Sequence, residues 1–498
     1  MKKYALLLCL LLSTVSLLSL RAFDATRSLV EIEITKQSYN YNLPWTVRNQ
    51  QISKNGVLIE GRQILTTADG LSNQYLCRVK KGGVSRQYIA KVKWIDYHAN
   101  VAILTIKEED FFAGMQSVSL AKAIPQSGSL QVYRWRLGRI EERAAEIIRL
   151  YSGESKMSYV KHLTLSVSSE IESAGWSEIV CNNRDLIGLT ASASSGKLEI
   201  LPATFISNVL ARSEKNNSAG LGYFDFQYMY GKNPVLLSSK GLKKSDVGVI
   251  VTQINPRNKE NYPLKVGDII LAIDGFNIDS EGKYMDPVYG RLSASILATH
   301  MYNAGEILPL LIWRDNEEIT INYILPKADF KGSFIPEQSY DTAPEYLIAG
   351  GLIFQPVNGP LLDALGTNMP VLLDYYRSKK SAQIRDGLVV LTKILPDDFN
   401  LGYERLRLQI VDTVNGYTID NLNTLQVALN NPIDGFHRIQ FLREETLRHI
   451  VLDAVSMEIA TQRVLDHYQI PAAKLISEQE IQKSIDLQQT PNNPRTNP

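Results

Sequence analysis

LKVGDIILAIDGFNI, residues 264–278, decides how the chain is built, and LRLQIVDTVNGYTI (406–419) repeats its grammar. In each, an apolar strand runs into Asp-Gly or Asn-Gly and then into another apolar residue. These dipeptides tolerate the positive φ of a tight hairpin turn. The flanks repeat as well. Strand-like runs at 247–254, 307–313 and 318–324 accompany the first stretch, and runs at 387–394, 437–442 and 447–453 accompany the second, which adds a helical run at 422–429. One supersecondary pattern used twice implies a duplicated β-rich module.

Toward the N-terminus the texture changes. Short apolar runs at 56–59, 63–67, 75–79, 88–95 and 101–106 are followed by others at 130–135, 162–167, 178–181 and 186–190, separated by Gly, Asn and Ser. That spacing argues for a barrel or sandwich and against βαβ units. Residues 139–150 fit either a helix or an extended charged strand. EKNNSAG (214–220) is a polar linker, and the Gln-, Asn- and Pro-rich tail beyond Ser477 is expected to be disordered.

The first residues predict export. Lys2 and Lys3 form a positive start, Tyr4 to Leu20 is apolar apart from Ser13, Thr14, Ser16 and Ser19, and Ala22 offers a small residue for cleavage. The expectation is a signal peptide over 1–22, with an uncleaved anchor as the alternative, and a periplasmic or secreted location. No later segment could span a bilayer.

With 53 basic and 52 acidic residues the formal charge is +1, which gives no electrostatic case for nucleic acid. At 498 residues, two to four domains are expected. Past the leader, Cys77 and Cys181 are the remaining cysteines, and neither has a Cys or His at metal-ligand spacing. Two buried, free thiols are expected, with no metal and no cofactor.

Three segments carry a family resemblance. LTTADGL (65–71) is similar to the HtrA/Deg stretch in which a strand ends at the catalytic histidine. DYHANVAIL (96–104) resembles the stretch holding the triad aspartate, and AGWSEI (174–179) the one holding the nucleophilic serine, with DLIGL (185–189) after it. The later modules resemble PDZ domains. YLIAGGLIFQPV (346–357), LVVLTKILPDDFNLGY (388–403) and ATQRVLDHYQIPAA (460–473) are similar to the plant-type Deg proteases with two PDZ domains. The resemblance implies a mainly β chain: a trypsin-like double β-barrel over 28–213, PDZ-like domains over 218–330 and 338–475, and a tail over 478–498. In that subgroup the second PDZ domain is associated with oligomer assembly and internal peptide contacts.

The resemblance fails where the chemistry would occur. Asp69 stands at the histidine position and Asn100 at the aspartate position, while Ser177 is retained and Gly175 keeps the oxyanion position. A triad needs an imidazole to take the serine proton and a carboxylate to orient it. An ordinary carboxylate is a weak base for a hydroxyl, and Glu178 would oppose a developing oxyanion. His98, two residues before Asn100, is read as an exposed loop residue. The PDZ-like entries Tyr223-Phe224-Asp225-Phe226 and Gly350-Gly351-Leu352-Ile353 stand where a carboxylate-binding loop would receive a peptide C-terminus. Asp225 would repel that terminus, so peptides are expected to prefer the second module.

The leading expectation is an inactive homologue that binds polypeptides or unfolded proteins and forms a homo-oligomer. The alternatives are an active quality-control endopeptidase with a non-standard arrangement around Ser177, and an oligomeric scaffold.

Overall fold

The computed structural model describes residues 23–172, 175–183, 185–214, 220–254, 262–330, 334–378, 385–442 and 449–476. The leader over 1–22, the tail over 478–498, Ala174 and most of the 214–220 linker therefore lie outside the described residues.

Two closed barrels of six antiparallel strands come first. In the first, Leu29–Tyr39 pairs with Val47–Ile59 and with Gln74–Lys81, and Val101–Ile106 closes the wall between Gln63–Thr66 and Tyr88–Asp96. Alternation drives this: Ile32, Ile34, Ile64, Val79 and Leu104 point into one apolar cluster. The second barrel encloses Leu130, Val132, Leu163, Leu165, Ile187 and Ile200. A further cluster fills the seam between the barrels, where Leu65, Val101 and Ile103 meet Ile179, Leu186 and Leu189. The helix Ala203–Glu214 caps that seam with Phe205, Ile206 and Val209.

The ambiguous run at 139–150 is part of a 16-residue strand, Arg139–Glu154. It pairs with strands on both sides, and Glu141 is matched across the ladder by Arg134, from which it accepts at 2.8 Å. The strand Val47–Ile59 begins much earlier than its apolar run. Its polar start is held in register from Tyr39↔Val47 to Leu29↔Val57.

The duplicated modules share one strand path. In the first PDZ-like module the order is Phe226–Tyr230, Val249–Ile254, Ile269–Ile273, Ile307–Arg314, Glu317–Ile324, with Phe276–Asn277 pairing the middle strand. In the second it is Leu352–Pro356, Val389–Ile394, Gln409–Val414, Phe436–Phe441, His449–Asp453, with Tyr417–Thr418 in the equivalent place. The second module then adds Tyr346–Ala349 and Lys474–Leu475 beyond Leu352–Pro356.

Both modules are tied to the barrels. The core of the second barrel runs without a break into Phe226, Val249 and Ile270 of the first module, and Arg212 donates to the carbonyls of Thr299 and Tyr302 at 3.2 and 2.8 Å. The tip of the first barrel's long hairpin reaches the second module, where the rings of Trp45 and Tyr346 lie 6.0 Å apart. Cys77 and Cys181 are buried and free, because they sit in different barrels. Burial pushes the Cys77 thiol up to about 12, so it stays protonated. Among the described residues no helix is long and apolar enough to cross a membrane, and no group of side chains is arranged to hold a metal.

Candidate functional site

The fold brings Asp69, Asn100 and Ser177 together at the barrel seam. The Asp69 N–H donates to Asn100 Oδ1 at 2.9 Å, and the Ser177 hydroxyl accepts from the Thr67 N–H at 3.1 Å. The two ends are linked by Lys54, whose ammonium reaches the Thr67 carbonyl and hydroxyl at 2.7 Å each and the Asp69 carbonyl at 2.6 Å. Thr67 Oγ1 lies 2.5 Å from Ser177 Oγ.

None of these side chains is placed to work as a triad. The Asp69 carboxylate is turned to Lys156 at 2.6 Å. Asn100 is 1% exposed, and its Oδ1 faces the Asp69 amide, which fixes Nδ2 as the orphaned atom among the described residues. Ser177 is 0% exposed. Lys54 is also buried, and burial pulls its amine down to about 7 despite nearby carboxylates.

The turn at Ser177 has spent its donors. Gly175 N–H donates to Glu178 Oε2 at 2.8 Å, and Trp176 N–H to the same carboxylate at 3.1 and 3.3 Å. The Ser177 N–H goes to the Thr190 carbonyl at 3.2 Å. Glu178 thus lies in the place where amide groups would otherwise receive a developing oxyanion. Its own burial raises its pKa, and the two amides oppose the rise. Asn55 pins the turn from the first barrel, donating through its N–H to the Trp176 carbonyl at 3.0 Å. Gly175 adopts φ +111°, where an L side chain is strained, and a Cβ there would crowd Ser192 and Ala193.

His98 departs from its expected role as an exposed loop residue. It is half-buried, stacked on Phe330 with centroids 3.7 Å apart, and bonded to Ser158 at 2.7 Å. Burial pushes its pKa down to about 4.

The peptide-loop readings need two corrections. The Asp225 carboxylate does not face an incoming terminus: it accepts from the hydroxyls of Tyr323, at 2.7 Å, and Tyr262. Tyr223 and Phe224 are half-buried beside it, and Phe226 opens the edge strand. Gly350 and Gly351 do not form an open cradle. With φ of +55° and +88° they are the turn joining Tyr346–Ala349 to Leu352–Pro356, and the Gly350 N–H already donates to Thr461 Oγ1 at 2.7 Å. Leu352 and Ile353 are fully buried. The glycines of the second module are thus engaged in a turn and not in an open loop.

Sequence reasoning missed Lys54 and the inward turn of Glu178. Lys54 stands opposite Ile32, on the inward parity shared with Ile52 and Gly56, and this parity was its legible signal. The place of Glu178 beside Ser177 was legible, but that its carboxylate accepts from the Gly175 and Trp176 amides was not.

Residues 335–476 match the family described as "PDZ domain". The chain is 24% identical over 463 residues to Protease Do-like 4, mitochondrial, of Arabidopsis thaliana, covering 90% of this chain and 85% of that protein. It is also 24% identical over 465 residues to Protease Do-like 2, chloroplastic, of the same plant, covering 90% and 74%. Among solved structures, the HtrA-type protease AlgW with a tripeptide matches with a TM-score of 0.48 at 14% identity, over 60% of this chain and 94% of that one. The chain is a homologue of the Deg/HtrA (Do-like) proteases and carries a PDZ domain toward its C-terminus.

Proposed function

We propose that this is a non-catalytic Deg/HtrA homologue that binds polypeptides through the bare edge of its first PDZ-like module. One observation carries the loss of catalysis: the Gly175 and Trp176 amides are held by Glu178, and the Ser177 amide by Thr190, beside a serine that has no imidazole. Removing triad chemistry costs several orders of magnitude in rate, and removing the oxyanion donors adds to that loss. Strand addition supports the binding half of the reading. Phe226–Tyr230 pairs with one strand only among the described residues, so its outer amides and carbonyls are available to an extended peptide.

A second reading has one observation in its favour. A neutral Lys54 amine has two N–H groups and one lone pair, which suit two carbonyls and the Thr67 hydroxyl, and that hydroxyl leads to Ser177. This would give an endopeptidase with a lysine base. Fluorophosphonate labelling and casein cleavage, each beside Ser177→Ala, separate the two. The non-catalytic reading expects no Ser177-dependent label and no cleavage, and a label lost with Ser177→Ala overturns it.

The likeness of the second module to those of the plant-type Deg proteases, where it is associated with assembly, makes a homo-oligomer part of the proposal. Export directed by residues 1–22 is retained, and the mitochondrial and chloroplastic names of the relatives make an organelle the competing destination. Cell fractionation of a tagged full-length chain decides between them.

A further inference from the structure

The connector between the two PDZ-like modules crosses the mouth of the barrel seam. The Tyr340 ring stacks on Tyr97 with centroids 4.2 Å apart and planes 17° from parallel, and its hydroxyl donates to the Met157 carbonyl of the second barrel at 2.8 Å. Asp341 engages the first barrel at three points. Its Oδ1 accepts from the Asn73 N–H at 2.7 Å, its Oδ2 from the Tyr97 hydroxyl at 2.6 Å, and its own N–H donates to Ser72 Oγ at 3.2 Å. Tyr97 stands three residues before Asn100, Ser72 three after Asp69, and Met157 next to Lys156, the partner of Asp69. Two consecutive side chains of the connector thus bind both walls of the seam directly beside the degenerate triad. An aromatic slot lies next to an amide and a phenol that together receive one carboxylate, which is the make-up of a built binding site.

We infer that the seam mouth is a binding site for an extended polypeptide segment with an aromatic residue followed by an acidic one, kept filled within the chain by Tyr340–Asp341. Tyr97 supplies the stacking face and a donor, Asn73 the amide, and Met157 the acceptor for a phenol. A tethered occupant acts at an effective concentration near the millimolar range, so an external segment of similar affinity is shut out until the strap is weakened. This site differs from the edge strand of the first module, and its failure would leave that binding proposal intact.

The probe is a fluorescent peptide with the sequence of residues 337–344, EQSYDTAP, titrated by anisotropy into the full-length chain, into Tyr340→Ala/Asp341→Ala, and into that double variant with Tyr97→Ala added. The double variant is expected to bind at least tenfold more tightly than the unaltered chain, and Tyr97→Ala is expected to abolish the gain. A control peptide with Ala and Asn in place of Tyr and Asp should gain nothing. Equal binding to the unaltered chain and the double variant, tight or absent, overturns the inference. So does a gain that survives Tyr97→Ala. If the double variant fails to fold, Tyr340→Ala alone gives the same reading on a smaller scale.

Discussion

The two PDZ-like modules follow one strand path and differ at one edge. In the first, Phe226–Tyr230 ends the sheet among the described residues; in the second, the equivalent Leu352–Pro356 is covered by Tyr346–Ala349 and then by Lys474–Leu475. An exposed edge is a template for another strand, and a covered edge is not. The same duplicated sequence grammar therefore yields one edge open to a peptide and one closed by the chain itself. What separates them is a pair of glycines. Gly350 and Gly351 allow the chain to turn back and pair with its own next strand, whereas Asp225 is drawn inward onto two tyrosine hydroxyls and leaves Phe226–Tyr230 without that partner.

The largest expected effect comes from breaking the covered edge. Gly350 holds φ +55° with its Cα against the Phe399 ring, so Gly350→Val adds both backbone strain and a collision. Together these should destabilise the second module by on the order of 4 kcal/mol, summing typical strain and overpacking costs. Urea unfolding followed by the second module's amide signals checks this. A loss below about 1 kcal/mol would mean that the turn is not what holds the edge closed.

A smaller effect is expected in the first module. Asp225→Ala removes the carboxylate that accepts the proton of the Tyr323 hydroxyl, which is almost fully buried, and should cost about 1–3 kcal/mol. It should not strengthen binding of peptides with a free C-terminus, because the carboxylate faces the tyrosines. Calorimetry that showed tighter binding by this variant would put Asp225 back at the groove.

The barrel seam offers the same contrast of filled and open, read through pH. Folded, the Lys54 amine loses its proton near 7; unfolded, it does so near its ordinary 10.5. Between these values the unfolded chain binds the extra proton. The lysine's penalty is therefore complete below pH 7 and fades as pH rises toward 10.5. The stability gap between the unaltered chain and Lys54→Met should move in favour of the unaltered chain by up to ~1.4 kcal/mol per pH unit between pH 7 and pH 9. Parallel urea midpoints at the two pH values would show that Lys54 keeps its charge in the fold.

Much of this architecture was legible. Short apolar runs marked most strands of both barrels, though not Leu29–Tyr39 or Lys197–Pro202, and the helix over Leu422–Leu429 appears where its run was read. What escaped had no local signature. The polar start of Val47–Ile59 becomes a strand because Leu29–Tyr39 pairs with it, not because of its own pattern. Gly350 to Ile353 read as the entry to a ligand loop, since a turn into a paired strand and a loop entry look alike until the partner strand is known. At the seam, motif order led to Asp69, Asn100 and Ser177; Asp69 bonds to Asn100, and Ser177 bonds to Thr66 and Thr67. The direction of the Asp69 side chain, and of Asp225 in the first module, was set by residues distant in sequence, Lys156 and Tyr323, whereas Glu178 folds back onto the neighbouring Gly175 and Trp176 amides. Pairing across a fold is invisible to spacing along a chain.

Amide hydrogen exchange of the full-length chain, with and without a saturating peptide that ends in a free carboxylate, tests the account most directly. It reports on the bare edge, the covered edge and the serine turn in one measurement. The account predicts new protection within Phe226–Tyr230, and no change at Leu352–Pro356 or at residues 175–178. Protection at Leu352–Pro356 or at the serine turn, with none at Phe226–Tyr230, would contradict it.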